Sequence, residues 1–264
     1  MSISGDCYEH IRCNAFEIKI QKGFKTMKMS IMKKIAVCAS AAAMLTSVGA
    51  TMASAATVRA DYAKVGNSAA YTRSLTKADK AAAAAKAADC TKVAAASAKA
   101  AAGQAAYKIS IPGTFTMYQQ ETDNYCCDAC IKSVLMYTAN TSPSQATIHK
   151  TINLDFSKIA AYVNARENEC HYLFVTSPSL SSLKDKIYYD INTEKCPSFL
   201  RIYNMSGANW YYATAGHCIL SNAIYSDKSI IQIADPLGGR VSGCPYFYLK
   251  NASIVGNITT HICW

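Results

Sequence analysis

The chain has 264 residues, 51% of them hydrophobic, and a formal net charge of +10 at pH 7. This length suffices for one or two domains with a sizeable core, although alanine inflates the apolar fraction. The charge is uneven, because residues 109–264 contain eleven Lys/Arg and eleven Asp/Glu, whereas residues 57–108 contain nine against three. A globular part so close to neutral argues against a nucleic-acid-binding domain.

Residues 32–56 have the order of a signal peptide: Lys33 and Lys34, an apolar run, and then Ala53-Ser54-Ala55. The alternative is that residues 32–56 form a buried Ala-rich helix. Residues 1–31 fit no signal peptide, and we interpret them as an upstream segment with a misassigned start, so that translation begins at Met27, Met29 or Met32. We therefore expect a secreted or cell-wall-associated protein without an integral membrane span after signal removal.

Nine cysteines follow the signal-like segment. Export permits disulfides, and an odd count leaves at least one thiol outside any bridge within the chain, as a cysteine nucleophile requires.

Residues 57–108 include an alanine-rich stretch with lysines spaced along it (Lys80, Lys86, Lys92, Lys99). Alanine favours helix, yet the stretch lacks an apolar stripe, so it predicts a helical spacer or pro-segment with almost nothing to bury. A sharper hypothesis is that the lysines bind an anionic cell-wall polymer.

The composition changes at Tyr107, and we place one catalytic domain at residues 109–264. Apolar periodicity predicts a helix from about Asp128, capped by Asp123 or Asn124, and a helix capped by Ser179. Two further helices are expected at 144–151 and 157–164. Strands are predicted at 198–203, 218–225, 229–234, 246–250 and 253–260. Helices followed by antiparallel strands make an α+β domain.

Gln120 precedes Cys126 by six residues, and Cys126 stands where the first catalytic-domain helix begins. A helix N-terminus favours thiolate, which is the attacking species. The Cys126 N–H and the Gln120 amide could together stabilise a developing oxyanion. The alternative is a buried structural cysteine near an unrelated glutamine.

His217 is the best-placed base for Cys126. It begins an alternating strand in Ala215-Gly216-His217, and Asp235 ends the next strand before Pro236. If the two strands turn about Ser226 through an odd-length loop, residues whose numbers sum to 452 lie opposite each other, and His217 faces Asp235. An even-length loop would put them on opposite faces. By contrast, His149 and His261 are expected to be surface or core residues, and His171 is undetermined.

The ordered set Gln120, Cys126, His217 and Asp235, with Asp-Pro-x-Gly-Gly ending the second strand, resembles papain-like cysteine peptidases of the bacteriocin-processing (double-glycine) type, in their secreted branch without a transporter domain. The resemblance implies a papain-like fold, with the nucleophile helix packed on a C-terminal antiparallel sheet. It also implies peptide-bond hydrolysis through a thioester, by a Cys-His-Asp triad with Gln120 in the oxyanion hole and no cofactor or metal.

Four residues depart from the family pattern. Where the family usually reads Cys-Gly-Pro-Ala, this chain has Cys126-Cys127-Asp128-Ala129. Cys127 adds a side chain beside the nucleophile, and Asp128 adds a charge that would raise the Cys126 pKa. The family also often has glycine at Cys196 and an apolar residue at Cys218, and these two cysteines can pair with each other or elsewhere.

Other functions remain as alternatives. Cys127-x-x-Cys130 fits a redox dithiol or half of a metal site. The same triad could cut peptidoglycan cross-links as a papain-like cell-wall hydrolase. From another class comes a non-catalytic cell-surface binding protein on a papain-like scaffold.

Overall fold

The computed structural model describes residues 68–264. The predicted α+β class is confirmed, with most helices preceding an antiparallel sheet. The helices are α1 (Ser68–Ser74), α2 (Lys77–Ala101), α3 (Cys126–Thr138), α4 (Gln145–Ile152), α5 (Ile159–Asn164), α6 (Leu180–Tyr189) and α7 (Ala252–Ile258). The strands are β1 (Lys108–Ser110), β2 (Phe174–Thr176), β3 (Ser198–Asn204), β4 (Thr214–Tyr225), β5 (Ile230–Ala234), β6 (Phe247–Asn251) and β7 (Thr259–Cys263).

The sheet has the order β2-β7-β3-β4-β5-β6, and β1 pairs with the C-terminal end of β4. Side chains alternate between two buried clusters, because successive residues of a strand point to opposite faces. Phe199 and Leu220 join the cluster that contains the buried residues of α3 and α4, whereas Leu200 and Ile219 join the one that contains those of α6 and α7. The layout predicted from the resemblance, a nucleophile helix on an antiparallel sheet, is the one observed.

The predicted helix starts are largely correct. Ser144 and Ser179 cap α4 and α6. Each serine side chain accepts a hydrogen bond from the backbone N–H three residues later, as expected for serine N-caps. Helix α3 begins at Cys126 after Tyr125, whose side chain provides no cap. The predicted capping by Asp123 or Asn124 is therefore wrong.

The β4–β5 hairpin brings His217 and Asp235 to the same face by a route that the sequence prediction missed. The loop 226–229 has an even length, and the pairs next to it, such as Ile224 with Ile231, sum to 455. A bulge between Ser221 and Ala223 adds one residue to β4, so that Leu220 pairs with Ala234 and the sum becomes 454. The predicted sum of 452 is wrong. The even-length loop alone would place His217 and Asp235 on opposite faces of the sheet. The extra residue in β4 shifts the pairing by one residue, which exchanges the faces, so the two side chains lie on the same face.

The C-terminal region corrects another prediction. Residues 252–258 form α7 instead of a strand, and β7 begins only at Thr259. Asn251 caps this helix by accepting a hydrogen bond from the Ser253 N–H at 2.8 Å, and Val255 is fully buried. A side-chain cap and tertiary packing override the β-propensity of Ile254, Val255 and Ile258.

Helix α2 confirms the predicted helix in the alanine-rich segment, but it buries more than expected. Lys86, Cys90 and Ser97 are buried. The Lys86 Nζ lies 3.3 Å from Asp190 Oδ1 and 5.0 Å from the Trp264 ring centroid, among polar and aromatic side chains of the region 109–264. Lys80, Lys92 and Lys99 are exposed.

One disulfide joins Cys170 to Cys196, while Cys218 is reduced and buried. Within residues 68–264 no helix is both long and apolar enough to cross a bilayer. The predicted upstream segment and signal peptide lie outside the described residues.

Candidate active site

Cys126 stands at the first position of α3, where the backbone N–H groups of the first turn have no helical acceptor. The positive end of the helix dipole therefore lies at the thiol. Cys126, His217 and Asp235 are all fully buried, and Gln120 is 1% exposed. The four residues named from the sequence thus all lie in the interior of the domain.

His217 contacts Asp235 through one ring nitrogen. Its Nε2 lies 3.0 Å from Asp235 Oδ1, while Nδ1 has no hydrogen-bond partner of ordinary geometry in the part of the chain that the structure describes. The imidazole also interacts with the Cys126 thiol. The order thiol, imidazole, carboxylate is the arrangement in which a histidine accepts the proton of a nucleophile while a carboxylate orients the ring.

Two tyrosines that the sequence analysis did not identify hold the other oxygen of Asp235. The hydroxyls of Tyr212 and Tyr248 donate to Oδ2 at 2.5 and 2.7 Å, and the Leu237 N–H donates to Oδ1 at 2.9 Å. No motif marks these tyrosines, because one lies in the β3–β4 loop and the other on edge strand β6. Only the tertiary fold brings them to the carboxylate.

The neighbouring His217 is the leading influence that keeps Asp235 ionised. Burial by itself raises the pKa of the Asp235 carboxyl, but the His217 charge and the hydrogen bonds from His217, Tyr212 and Leu237 hold that pKa below its usual range. Burial lowers the pKa of His217, and Asp235 and Cys126 outweigh burial and raise it to about 9. At neutral pH the pair is therefore an imidazolium next to a carboxylate.

The Cys126 thiol is not activated in this arrangement. Its pKa lies well above the usual range, first because of a hydrogen bond with Cys127 and second because of burial, while His217 acts in the opposite direction. Cys127 in turn interacts with Cys218, which interacts with Cys130. The departure from the family pattern at Cys127 thus has a direct electrostatic effect on Cys126.

Gln120 lies six residues before Cys126, and its amide is engaged by neighbouring backbone carbonyls. The Nε2 donates to the carbonyls of Thr122 and Asp123 at 2.9 and 3.0 Å, and the buried Oε1 has no partner among the described residues. An oxyanion-hole role requires the amide to turn toward Cys126. The structure does not bring the Gln120 donor into that orientation.

The segment around Gln120 is fixed by neighbouring elements. Gln145 on α4 brackets it, because its Nε2 donates to the Gln119 carbonyl at 2.7 Å and its Oε1 accepts from the Glu121 N–H at 3.0 Å. Gln145 is buried, and no motif in the sequence indicated this function.

The same segment is joined to the loop that follows Asp235. The Gln120 N–H donates to the Pro236 carbonyl at 3.1 Å, and the Arg240 guanidinium donates to the Gln120 carbonyl and to Asp123 Oδ1, both at 2.8 Å. A Cβ at Gly238 would lie 2.5 Å from Tyr246 Cα, which explains a glycine there. The two loops that supply Gln120 and Asp235 are thereby held together.

Asp128, which the sequence predicted to raise the Cys126 pKa, is paired with a histidine and is not a leading influence on that pKa. It is fully buried, and its Oδ2 pairs with His149 Nδ1 at 2.7 Å, so His149 is a partner of Asp128. Burial raises the pKa of Asp128 to about 6, against the opposing effect of His149. The charge of Asp128 raises the pKa of Cys127 and is not a leading influence on Cys126.

The remaining histidines lie apart from this site. His261 is a buried core residue stacked on Phe174 at 5.6 Å, and burial lowers its pKa to about 4. His171 is half-buried, and its carbonyl accepts from Lys86 at 2.9 Å. Within residues 68–264 no group of three or more His, Cys, Asp or Glu side chains is arranged to hold a metal ion.

No protein-family model matches the chain, and no curated protein matches it. Among solved structures the chain is similar to xylellain, a cysteine protease from Xylella fastidiosa. The TM-score is 0.39 and the sequence identity 13%, with 59% of this chain and 84% of that chain covered. A similarity at this level assigns neither a family nor an activity.

Proposed function

We propose that the protein is a papain-like cysteine peptidase that hydrolyses peptide bonds through a thioester on Cys126. The observation that supports this most strongly is the position of His217, between the Cys126 thiol and the Asp235 carboxylate at 3.0 Å. A histidine that contacts both a thiol and a carboxylate has the arrangement that activates a cysteine nucleophile.

The proposed reaction starts when the Cys126 thiol releases its proton to solvent water in the opened site, since His217 already carries its own proton, and a thiolate remains next to the His217 imidazolium. The thiolate attacks the carbonyl carbon of the substrate, and the Cys126 N–H stabilises the oxyanion. His217 then donates its proton to the leaving amine. Water hydrolyses the thioester with His217 as base, releasing the acid and restoring Cys126.

Access to Cys126 requires a change in this structure, because the thiol is fully buried. For Gln120 to serve as a donor there, its amide would also have to leave the Thr122 and Asp123 carbonyls. We infer that peptide binding completes the oxyanion hole, with Gln120 as the second donor.

The finer assignment to the bacteriocin-processing type depends on the ordered motifs of the sequence. The contact between the Gln120 segment and the loop after Asp235 supports it, because it explains why both motifs occur in one chain. Secretion remains part of the proposal, and the Cys170–Cys196 disulfide is in keeping with an oxidising compartment. N-terminal sequencing of the secreted product would test it.

The decisive experiment is to treat the purified protein with iodoacetamide and with a peptidyl epoxide, with and without reductant, and to map the modified cysteines by mass spectrometry. We expect modification confined to Cys126, and its loss in His217→Ala. The matched control is Cys130→Ala, another buried cysteine of α3, which should leave the labelling of Cys126 intact. Equal modification of several cysteines would overturn the proposal.

A second candidate has its own observation. The raised pKa of Cys126 and the engaged amide of Gln120 are what a non-catalytic binding protein on the same scaffold would show. Turnover of casein-derived peptides by the wild type, absent in Cys126→Ser, would reject this candidate. Consumption of purified cell wall but not of peptides would instead favour the wall-hydrolase alternative, in which the exposed Lys80, Lys92 and Lys99 could contact an anionic polymer.

A further inference from the structure

Two tyrosines from separate parts of the chain converge on one oxygen of Asp235. Tyr212 lies in the loop between β3 and β4, and Tyr248 lies on edge strand β6. Their hydroxyls are 2.5 and 2.7 Å from Oδ2, and both side chains are buried. A phenol O–H next to a carboxylate donates a hydrogen bond to it, so Oδ2 accepts two short charge-assisted hydrogen bonds.

The other oxygen of the same carboxylate faces His217. Oδ1 lies 3.0 Å from His217 Nε2 and accepts from the Leu237 N–H at 2.9 Å. With Oδ2 fixed by two phenols, the carboxylate cannot rotate about its own axis without breaking both bonds. The two phenols on Oδ2 therefore fix the plane of the carboxylate. The carboxylate in turn orients the imidazole of His217, which contacts Oδ1.

We propose that Tyr212 and Tyr248 are positioning residues that hold the Asp235 carboxylate ionised and aligned with His217 Nε2. The inference rests on the proposed function, since alignment of His217 affects reactivity only if His217 serves Cys126. It goes beyond that function by assigning the orientation of the triad to two side chains outside it.

Packing alone would account for buried tyrosines but not for their shared acceptor. Tyr211 provides the comparison, because its ring packs edge to face against Tyr248, with ring centroids 4.7 Å apart, and yet its hydroxyl does not donate to Asp235. The other titratable or charged groups around the carboxylate are two thiols and one amine: Cys244, with Sγ 3.9 Å from Oδ2, Cys130 on α3, and Lys250, over the Tyr248 ring at 5.8 Å.

The test uses the full-length chain with aspartate labelled by ¹³C at the carboxyl, in wild type, Tyr212→Phe, Tyr248→Phe, the double variant and the control Tyr211→Phe. Nuclear magnetic resonance follows the protonation of Asp235 with pH. Each lost phenol should move the titration of Asp235 upward by about one pH unit, because a hydrogen bond to a charged group stabilises the ionised form by about tenfold. Tyr211→Phe should leave it unchanged.

The second readout is the rate at which iodoacetamide modifies Cys126 between pH 5 and 6. We expect about a tenfold lower rate in the double variant, and no change in Tyr211→Phe, because a protonated or rotated Asp235 no longer holds the imidazolium next to the thiol. If the double variant does not fold, the two single variants decide by the same titration.

An Asp235 titration that is the same in all folded variants would overturn the inference even if Cys126 reacts as proposed. Conversely, Cys126 labelling that does not depend on His217 would reject the proposed function, while the carboxyl titration would still decide whether the phenols hold Asp235 ionised. The two failures are thus distinguishable.

Discussion

Two histidine–aspartate pairs lie at the first turn of α3, and they differ in almost every respect except composition. His217 and Asp235 meet through Nε2 at 3.0 Å, with both side chains fully buried. His149 and Asp128 meet through Nδ1 at 2.7 Å, and the His149 side chain is 24% exposed. The first pair interacts with Cys126, whereas the second interacts with Cys127.

The carboxylates of the two pairs have opposite pKa shifts, although both are fully buried. Asp235 accepts hydrogen bonds on both oxygens and has its pKa held low, while Asp128 has one oxygen without a hydrogen-bond partner among the described residues and a pKa of about 6. Burial raises the pKa in each case. The comparison teaches that a neighbouring charge and hydrogen-bond donors, acting against burial, decide whether the pKa of an interior carboxylate is lowered or raised.

The largest expected difference comes from removing each histidine. His217→Ala should lower the rate of Cys126 modification by iodoacetamide at pH 7 by about a thousandfold, because the thiol loses the group that stabilises the thiolate. His149→Ala should change it by less than about threefold. Mass-spectrometric mapping at timed intervals measures both rates, and equal effects of the two substitutions would refute the assignment of His217.

Replacing each aspartate by asparagine should give the next largest difference. Asp235→Asn removes the largest of the influences that raise the His217 pKa to about 9, so His217 should titrate about one to two units lower and Cys126 labelling should fall about a hundredfold. Asp128→Asn should leave the His217 titration in place. The ring resonances of ¹⁵N-labelled histidine measure both, and an unmoved His217 in Asp235→Asn would contradict the pairing.

A smaller effect, of opposite sign, is expected at the residue between the two pairs. Cys127→Ala removes the largest cause of the raised Cys126 pKa, so iodoacetamide should modify Cys126 about tenfold faster at pH 7. Cys130→Ala is the matched control on the same helix and should leave the rate unchanged. A slower reaction in Cys127→Ala would show that Cys127 assists the nucleophile.

Much of this site could be predicted from the sequence, because local signals mark it. A cysteine at a helix start, a glutamine six residues earlier and a histidine on an alternating strand are short-range patterns. Even the hairpin partner of His217 was correctly named. The predicted loop length and register were nevertheless wrong, since a bulge at Asn222 cannot be read from strand alternation.

The missed residues share a different property. Tyr212, Tyr248 and Gln145 act on the site from elements distant in sequence, and none belongs to a motif. Likewise, the burial of Lys86 depends on Asp190 and Trp264, which lie far along the chain. Hydrogen bonds to a buried side chain across the fold leave no periodic trace in the sequence, so only the tertiary structure reveals them.

The smallest expected effect concerns the pH dependence of stability, where the two carboxylates should act with opposite sign. The folded pKa of Asp128 is about 6, above its usual 3.8, so between pH 7 and 5 the folded protein binds a proton that the unfolded chain does not. Asp128 therefore adds about 1 kcal/mol to the free energy of unfolding as the pH falls through this range. The pKa of Asp235 is lower in the folded protein than its usual 3.8. Asp235 therefore contributes stability at neutral pH, and this contribution is lost only when the pH falls below about 3.8.

Urea unfolding of the wild type and of Asp128→Asn at pH 7 and pH 5 measures this term. The stability of the wild type relative to the variant should rise on acidification, because asparagine cannot take up the proton. If the difference between the two proteins is independent of pH, Asp128 is already ionised throughout this range. The contrast between a carboxylate held by many donors and one held by a single histidine would then be wrong.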